Sequence, residues 1–217
     1  MYIDVNGTRI FVEKRGVGYP LILVHGNGED HTIFNELVDK LERHFTCYMV
    51  DSRNHGKSPE TDQFHYDVMA DDMAQLIIHL GLIKPFYLGF SDGGIVGVIL
   101  SIKYPDILGK MVVCGTNINP KGILKKIFKE WSMMYQKYPI PLIKMMLEEP
   151  NLTWNDLHHI QTPTLVIAGE YDVINFGHTK AIHHHIRGSR LHIMKEKHHE
   201  DYIVHRDDLY ELLIQFL

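Results

Sequence analysis

The sequence has few cysteines and no long apolar run. Only Cys47 and Cys114 occur, far apart and each within an apolar segment, which argues against a disulfide framework and predicts two small core residues. No run of about 18 apolar residues is present, so no membrane-spanning helix is expected. The first residues lack the basic and then apolar pattern of a secretory leader. We therefore expect a cytoplasmic protein.

The chain also lacks an excess of basic residues. Its formal net charge is −5, with 45% hydrophobic and 23% charged residues. This composition is typical of a globular protein and gives no reason to expect nucleic acid or an anionic membrane as a partner. A length of 217 residues suits one domain, 1–217. The sequence does not indicate an oligomeric state.

Apolar runs that predict strands alternate with segments of helical periodicity. An antiparallel hairpin is expected first, around the turn-forming dipeptide Asn6-Gly7. Further strands are predicted at 20–24, 46–50, 86–90, 108–114, 164–168 and 190–194, and helices at 66–81, 176–186 and 207–217. This order predicts an α/β fold with a mostly parallel central sheet and helices on both faces. Residues 117–160 break the rhythm and predict a small helical cap inserted over one edge of the sheet.

The most informative segment is the predicted strand, sharp turn and helix that carries Ser91. Its spacing, Gly89-x-Ser91-x-Gly93, fits a nucleophile elbow, in which a strained turn pushes a serine hydroxyl out of the backbone. Glycine is needed on both sides because the strand and helix approach closely. The start of the helix directs free backbone N–H groups towards any anion that forms at the serine.

A serine hydroxyl needs a base and an orienting acid, and the loops after two later strands supply candidates. The order serine, acid, histidine predicts Ser91, Asp172 and His199 as the catalytic residues. Glu170 is the alternative acid and His198 the alternative base. The backbone N–H groups of Asp92 and Asn27 are the predicted oxyanion hole.

Three other motifs suggest different chemistry, but each is incomplete. Gly26-x-Gly28 after a strand partly mimics a dinucleotide-binding turn, without its third glycine. Gly56-Lys57-Ser58 ends like a phosphate-binding loop, but Asp51 stands where its first glycine should be. The histidine-rich last third has no His-Glu-x-x-His pattern, so no metal site and no cofactor are predicted.

These residues resemble the α/β-hydrolase family over essentially the whole chain. His25-Gly26 resembles its oxyanion loop, the segment 51–58 its Asp-x-Arg-Gly-His-Gly-x-Ser loop with Asn54 in place of glycine, 89–94 its elbow and 169–172 its acid turn. The family commonly has glycine before the catalytic histidine, where this chain has His198, so the resemblance carries the role to His199. The resemblance implies a serine hydrolase, and the methionine- and aromatic-rich cap segment predicts a small, largely apolar carboxylic ester as its substrate. Thioesterase, aminopeptidase and C–C bond hydrolase activities use the same residues, and some members of the fold only bind ligands.

Overall fold

The centre of the fold is an eight-stranded β-sheet, seen in a computed structural model that describes residues 1–217. Its spatial order is β1-β2-β4-β3-β5-β6-β7-β8. The first two strands run antiparallel to their neighbours and the other six run parallel, as the alternation of strands and helices predicts. The strands are β1 Tyr2–Val5, β2 Thr8–Arg15, β3 Tyr19–Val24, β4 Phe45–Asp51, β5 Phe86–Phe90, β6 Lys110–Cys114, β7 Thr164–Tyr171 and β8 Arg190–His198.

Helices cover both faces of the sheet. They are α1 Asn35–Leu41, α2 Tyr66–His79, α3 Asp92–Lys103, α4 Lys125–Lys137, α5 Pro141–Glu148, α6 Trp154–Leu157, α7 Phe176–His185 and α8 Tyr210–Phe216, with short 3₁₀ turns at His31–Phe34 and Pro120–Gly122. Side chains of α2, α3 and α7 pack into one buried cluster of 30 residues, and those of α1 and α8 into another of 20. The predicted α/β fold with a mostly parallel sheet is therefore confirmed.

The alternation of side chains along β3 shows how one strand supplies both clusters. Ile22 and Val24 point into the larger cluster, whereas Leu21 and Leu23 point into the smaller one. Burial on both faces explains why this strand is an unbroken apolar run in the sequence. Cys47 and Cys114 are free and lie buried in the smaller cluster, as small core residues.

The last strand is longer than the sequence predicts. β8 continues from Met194 to His198, and its pairing with β7 passes an irregularity between Gly169 and Tyr171 before Tyr171 meets His198. The added residues are polar and partly exposed at the sheet edge, so hydrophobic periodicity does not mark them. This extension carries the backbone directly to His199.

The predicted cap segment, residues 117–160, contains α4, α5 and α6. Both α4 and α5 have a strongly apolar face towards the carboxyl ends of the parallel strands, where side chains of the two helices line a cavity. We refer to residues 117–160 as the cap below. None of the eight helices combines the length and the apolarity that crossing a bilayer requires.

Candidate active site

Ser91 occupies the strained turn between β5 and α3. Its φ of 50° and ψ of −112° lie outside the regions that L-residues prefer. A Cβ at Gly89 would come within 2.6 Å of the Gly94 nitrogen, and one at Gly93 within 2.6 Å of the Val24 carbonyl carbon. Both glycines are required by close approach of backbone, which is the geometry that a nucleophile elbow needs.

The structure brings Ser91, His199 and Asp172 together from three separate loops. His199 Nε2 lies 3.1 Å from Ser91 Oγ, and His199 Nδ1 lies 2.7 Å from Asp172 Oδ1. Asp172 also accepts hydrogen bonds from the backbone N–H groups of Gly169 and Ile174, at 3.1 and 3.0 Å. The three side chains form one hydrogen-bonded chain, with the imidazole between the hydroxyl and the carboxylate.

The electrostatics around Ser91, His199 and Asp172 favour a protonated imidazole next to an ionised carboxylate. Burial alone would lower the pKa of His199, but the hydrogen bond and negative charge of Asp172 outweigh it and the net pKa is raised above 6.5. Burial would raise the pKa of Asp172, but His199 and the two backbone N–H donors lower it below its ordinary value. Asp172 is therefore ionised at neutral pH and stabilises the imidazolium.

The alternative acid and base, Glu170 and His198, lie outside the hydrogen-bonded group of Ser91, His199 and Asp172. Glu170 accepts a hydrogen bond from the backbone of Glu196, at 2.8 Å, and is exposed. The His198 ring is exposed against Tyr171, and its backbone N–H donates to Asp201. Asp172 and His199, and not Glu170 and His198, therefore lie within hydrogen-bond reach in the arrangement around Ser91.

The loop after β3 is fixed by His25. Its Nε2 accepts a hydrogen bond from the Ser52 backbone N–H at 3.1 Å, so the ring carries its proton on Nδ1, which donates to the Gly26 carbonyl at 2.7 Å. Burial, together with the neighbouring His55, lowers the pKa of His25 to about 4, so the ring is neutral at pH 7. A neutral ring with both nitrogens bonded holds this loop next to Ser91.

Asn27 connects this loop to the elbow. Its Nδ2 donates to Asp92 Oδ2 at 2.9 Å and to the Leu142 carbonyl of α5 at 3.4 Å. The backbone N–H groups of Asn27 and Asp92 have no acceptor within the protein. Burial raises the pKa of the Asp92 carboxyl, and the Asn27 amide compensates part of that cost. The side-chain bond between these two residues was not foreseen in the sequence.

A cavity of about 410 Å³ opens above Ser91. Its floor is formed by the elbow, the loop after β3 and His199, and its roof by the cap. The cap residues that line it are Trp131, Met134, Ile140, Leu142, Ile143 and Met146. This arrangement leaves room for a small, mostly apolar group directly over the serine.

Glu29 is a site residue that the sequence does not reveal. It lines the cavity, and its Oε2 accepts a hydrogen bond from the Gly26 backbone N–H at 2.8 Å. Burial raises the pKa of Glu29 to about 7, and the nearby Glu200 and Asp92 carboxylates add to that effect. No sequence motif marks a glutamate at this position. The Glu29 side chain points into the cavity only because the turn folds it back onto the Gly26 N–H.

The motifs that suggested other chemistry have structural explanations. The loop at Gly56-Lys57 wraps around the Asp51 carboxylate, which accepts the Lys57 backbone N–H at 2.8 Å and so occupies the place of a phosphate. Asp30 caps the 3₁₀ turn after β3 and puts a carboxylate where a dinucleotide pyrophosphate would lie.

The histidine-rich segment forms a surface cluster. His183 bonds to Ser189, and the rings of His185 and His158 stack on each other. Elsewhere, one group of possible metal ligands has its atoms within 4.8 Å of one another, and it consists of Asp30, His31 and Asp51. In this group, Asp51 Oδ1 accepts hydrogen bonds from the backbone N–H and from the ring Nδ1 of His31, each at 2.7 Å. These bonds account for the cluster as part of the loop structure.

Comparison with known proteins agrees with this architecture. The family model described as alpha/beta hydrolase fold matches residues 19–142. The human serine hydrolase BPHL is 28% identical over 247 residues, covering 99% of this chain and 85% of its own. The zebrafish (Danio rerio) sn-1-specific diacylglycerol lipase ABHD11 is 32% identical over 113 residues, covering 50% of this chain and 35% of its own.

A solved structure supports the fold over the full length. The esterase from Exiguobacterium antarcticum superposes with a TM-score of 0.87 at 22% identity, covering 99% of this chain and 98% of its own. The chain belongs to the α/β-hydrolase fold family. Within that family, the human relative that matches 99% of this chain is named a serine hydrolase.

Proposed function

We propose that the protein is a serine hydrolase that cleaves a small, largely apolar carboxylic ester through an acyl-serine intermediate. The observation that carries this proposal is the hydrogen-bonded chain from Ser91 through His199 to Asp172 at the floor of an apolar cavity. The names of a serine hydrolase and an esterase among its relatives support the same class.

In the proposed first step, Ser91 Oγ attacks the ester carbonyl carbon while His199 Nε2 takes the hydroxyl proton. Asp172 keeps the imidazole in the tautomer with the proton on Nδ1 and stabilises the imidazolium. The C–O bond of the tetrahedral intermediate then breaks, and His199 gives its proton to the departing alcohol. Water, activated by the same imidazole, releases the acid and regenerates Ser91.

The free backbone N–H groups of Asn27 and Asp92 are the proposed donors to the oxyanion. Each such donor is worth about 3 kcal/mol of transition-state stabilisation. Asp92 opens α3, so the positive end of that helix also points to the developing charge. The protein itself supplies the nucleophile, base, acid and oxyanion donors, so the proposed reaction needs no cofactor or metal. We also propose a cytoplasmic location.

The apolar roof supports an ester without a large polar acyl group. Trp131, Ile143 and Met146 contribute apolar surface, and methionine adapts to irregular groups. Thioesters, peptides with a free N-terminus and β-diketone-like substrates need the same polar atoms. The panel that tests the proposal therefore includes one substrate of each kind.

The test is hydrolysis of short-chain p-nitrophenyl esters, followed by mass spectrometry of protein quenched during turnover. We expect a burst of p-nitrophenol and an added acyl mass on the peptide that contains Ser91. Ser91→Ala should lose both while keeping its fold by circular dichroism. Turnover that persists in Ser91→Ala would overturn the proposal, and a folded wild-type protein that turns over no member of the panel would indicate a ligand-binding member of the fold.

A further inference from the structure

The part of the cap around α4 differs in charge from the rest of the molecule. Residues 121–144 contain six lysines and a single acidic residue, Glu130, although the whole chain carries a net charge of −5. One of these lysines, Lys144, lies 3.9 Å from Glu148. The other five form no ion pair: Lys121, Lys125, Lys126, Lys129 and Lys137.

The outer face of α4 combines these charges with an exposed apolar side chain. Lys126 and Lys129 are seven and four positions before Met133, and Lys137 is four positions after it, so all four share one face of the helix. Glu130, three positions before Met133, lies on the same face, which leaves an excess of two positive charges there. Met133 is 60% exposed at the centre of that face. Trp131, on the opposite side of the helix, and Met134, on the flank next to Met133, line the cavity. The side chains of Lys126, Lys129 and Lys137 on this outer face are exposed.

Exposed hydrophobic side chains concentrate around the mouth of the cavity. Five of the fifteen large hydrophobic side chains that the protein exposes lie between residues 124 and 140: Leu124, Met133, Met134, Tyr138 and Ile140. Met134 and Ile140 also line the cavity, so they form its rim. A cluster of this kind, rimmed by positive charge, is typical of an interaction surface rather than of scattered surface residues.

Exposed apolar side chains also continue beyond the cap. Leu124 borders a shallow groove of about 440 Å³ together with Tyr171 and Phe176, which are 55% and 45% exposed. Lys180 lies over the Phe176 ring at 4.3 Å. On this side of α4 the carboxyl edge of the sheet presents apolar side chains together with Lys180 and the exposed Glu170.

We propose that the outer face of α4 and the rim of the cavity dock on an anionic lipid surface. Lysines near such a surface are attracted to its phosphate groups, while neighbouring apolar side chains enter the headgroup boundary. Net charge averages over the molecule and hides this face, which is why the sequence gives no expectation of a membrane partner. Lipid fits better than nucleic acid because the interleaved side chains are mainly aliphatic, without a row of aromatic rings for base stacking.

Docking in this orientation places the mouth of the cavity against the lipid. Met134 and Ile140 would contact acyl chains, and Ser91 would lie at the floor of a cavity that opens towards them. The exposed carboxylate of Glu200 also lines this cavity, so the lysines of α4 must outweigh its repulsion from the anionic surface. The proposal concerns binding and does not depend on the hydrolase activity proposed above.

The test is co-sedimentation of the full-length protein with vesicles of phosphatidylcholine alone or of equal parts phosphatidylcholine and phosphatidylglycerol. We expect binding to the mixed vesicles that weakens as salt is added, and much weaker binding to the neutral ones. Lys126→Gln, Lys129→Gln and Lys137→Gln together should lower the partition coefficient by about a hundredfold. The matched control replaces three cations near the amino ends of strands, Arg43→Gln, Arg187→Gln and Arg190→Gln, and should bind like the wild type.

A second variant separates lipid from any other polyanion. Met133→Ser with Tyr138→Ser should weaken binding to mixed vesicles but leave retention on heparin unchanged. The proposal is overturned if the protein ignores both vesicle types, binds them equally, or binds mixed vesicles equally well after loss of the three lysines. It is also overturned if the serine variant binds the mixed vesicles as the wild type does, because the contact would then be purely ionic.

Discussion

His199 Nδ1 and Asp172 Oδ1 are 2.7 Å apart, and Asp172 is held in place by the backbone N–H groups of Gly169 in β7 and Ile174 in the following loop. The carboxylate is thus fixed before any substrate binds. Because Asp172 is buried and ionised, it both selects the imidazole tautomer and raises the pKa of His199. The contact keeps the proton of the neutral ring on Nδ1, so His199 Nε2 is free to accept the proton of Ser91.

Asp172→Asn should lower kcat by about 10⁴-fold, because an amide can hold the ring in the wrong tautomer and cannot stabilise the imidazolium. Glu170→Gln is the matched control two positions earlier, and its kcat should stay within about threefold of the wild type. Steady-state kinetics on one ester measures both. A large loss in Glu170→Gln with little effect of Asp172→Asn would move the acid to Glu170.

Glu29→Gln should shift the acid limb of the pH profile of kcat/KM to lower pH. Protonated His199 cannot accept the Ser91 proton, so activity towards an uncharged ester rises as pH passes the pKa of His199, which is raised above 6.5. Burial raises the pKa of Glu29 itself to about 7, so Glu29 is negative mainly in the upper part of this limb. There its charge contributes to the raised pKa of His199, and its removal stabilises the neutral ring. Glutamine retains an oxygen that can accept the Gly26 N–H.

The pH profile of Glu211→Gln, on the distant helix α8, provides the comparison for Glu29→Gln. Its acid limb should coincide with that of the wild type. An acid limb in Glu29→Gln that is unmoved, or that moves to higher pH, would show that Glu29 does not act on His199 through its charge.

Asp72→Asn should lower the free energy of unfolding by about 3–5 kcal/mol. Arg53 is buried and forms two hydrogen bonds of 2.6 Å to Asp72, so loss of the carboxylate would leave a buried guanidinium without its counter-charge. Asp39→Asn breaks an exposed pair with Arg15 and should cost less than about 1 kcal/mol. Urea denaturation of both variants checks the difference, and equal losses would contradict it.

Trp131→Ala should extend the range of acyl chains that the protein accepts. Trp131 forms part of the roof of the 410 Å³ cavity, so its removal opens space above Ser91. Each further methylene buried there is worth about 0.8 kcal/mol, or roughly fourfold in kcat/KM. A series of p-nitrophenyl esters of increasing length measures the shift, with Gln136→Ala on the outer face of α4 as control. An unchanged chain-length preference would place the acyl group elsewhere.

The elements around the elbow were predictable from sequence for a local reason. The turn between β5 and α3 depends on glycines close to Ser91, and those glycines are visible in the chain. The hairpin at Asn6-Gly7 is equally local, since both residues have positive φ. Apolar runs predicted the parallel strands because burial on both sheet faces leaves little room for polar residues.

Features that depend on distant contacts were not predictable. The end of β8 is polar and is defined by pairing with β7, so the predicted strand stops at residue 194 although the observed one reaches His198. Glu29 reaches the cavity because a turn folds it back over Gly26. Asn27 and Asp92 were expected to act through their backbones, and the bond between their side chains needed the folded chain to bring them together.

The most direct test of Ser91 as an activated nucleophile is labelling with a fluorophosphonate, followed by peptide mapping of the adduct. The reagent reacts with a serine whose proton is removed by a neighbouring base, here His199 at 3.1 Å. We predict modification of the wild type at Ser91, none in Ser91→Ala, and strongly slowed labelling in His199→Ala. A folded wild-type protein that stays unlabelled, or that is labelled at another serine, would contradict the account.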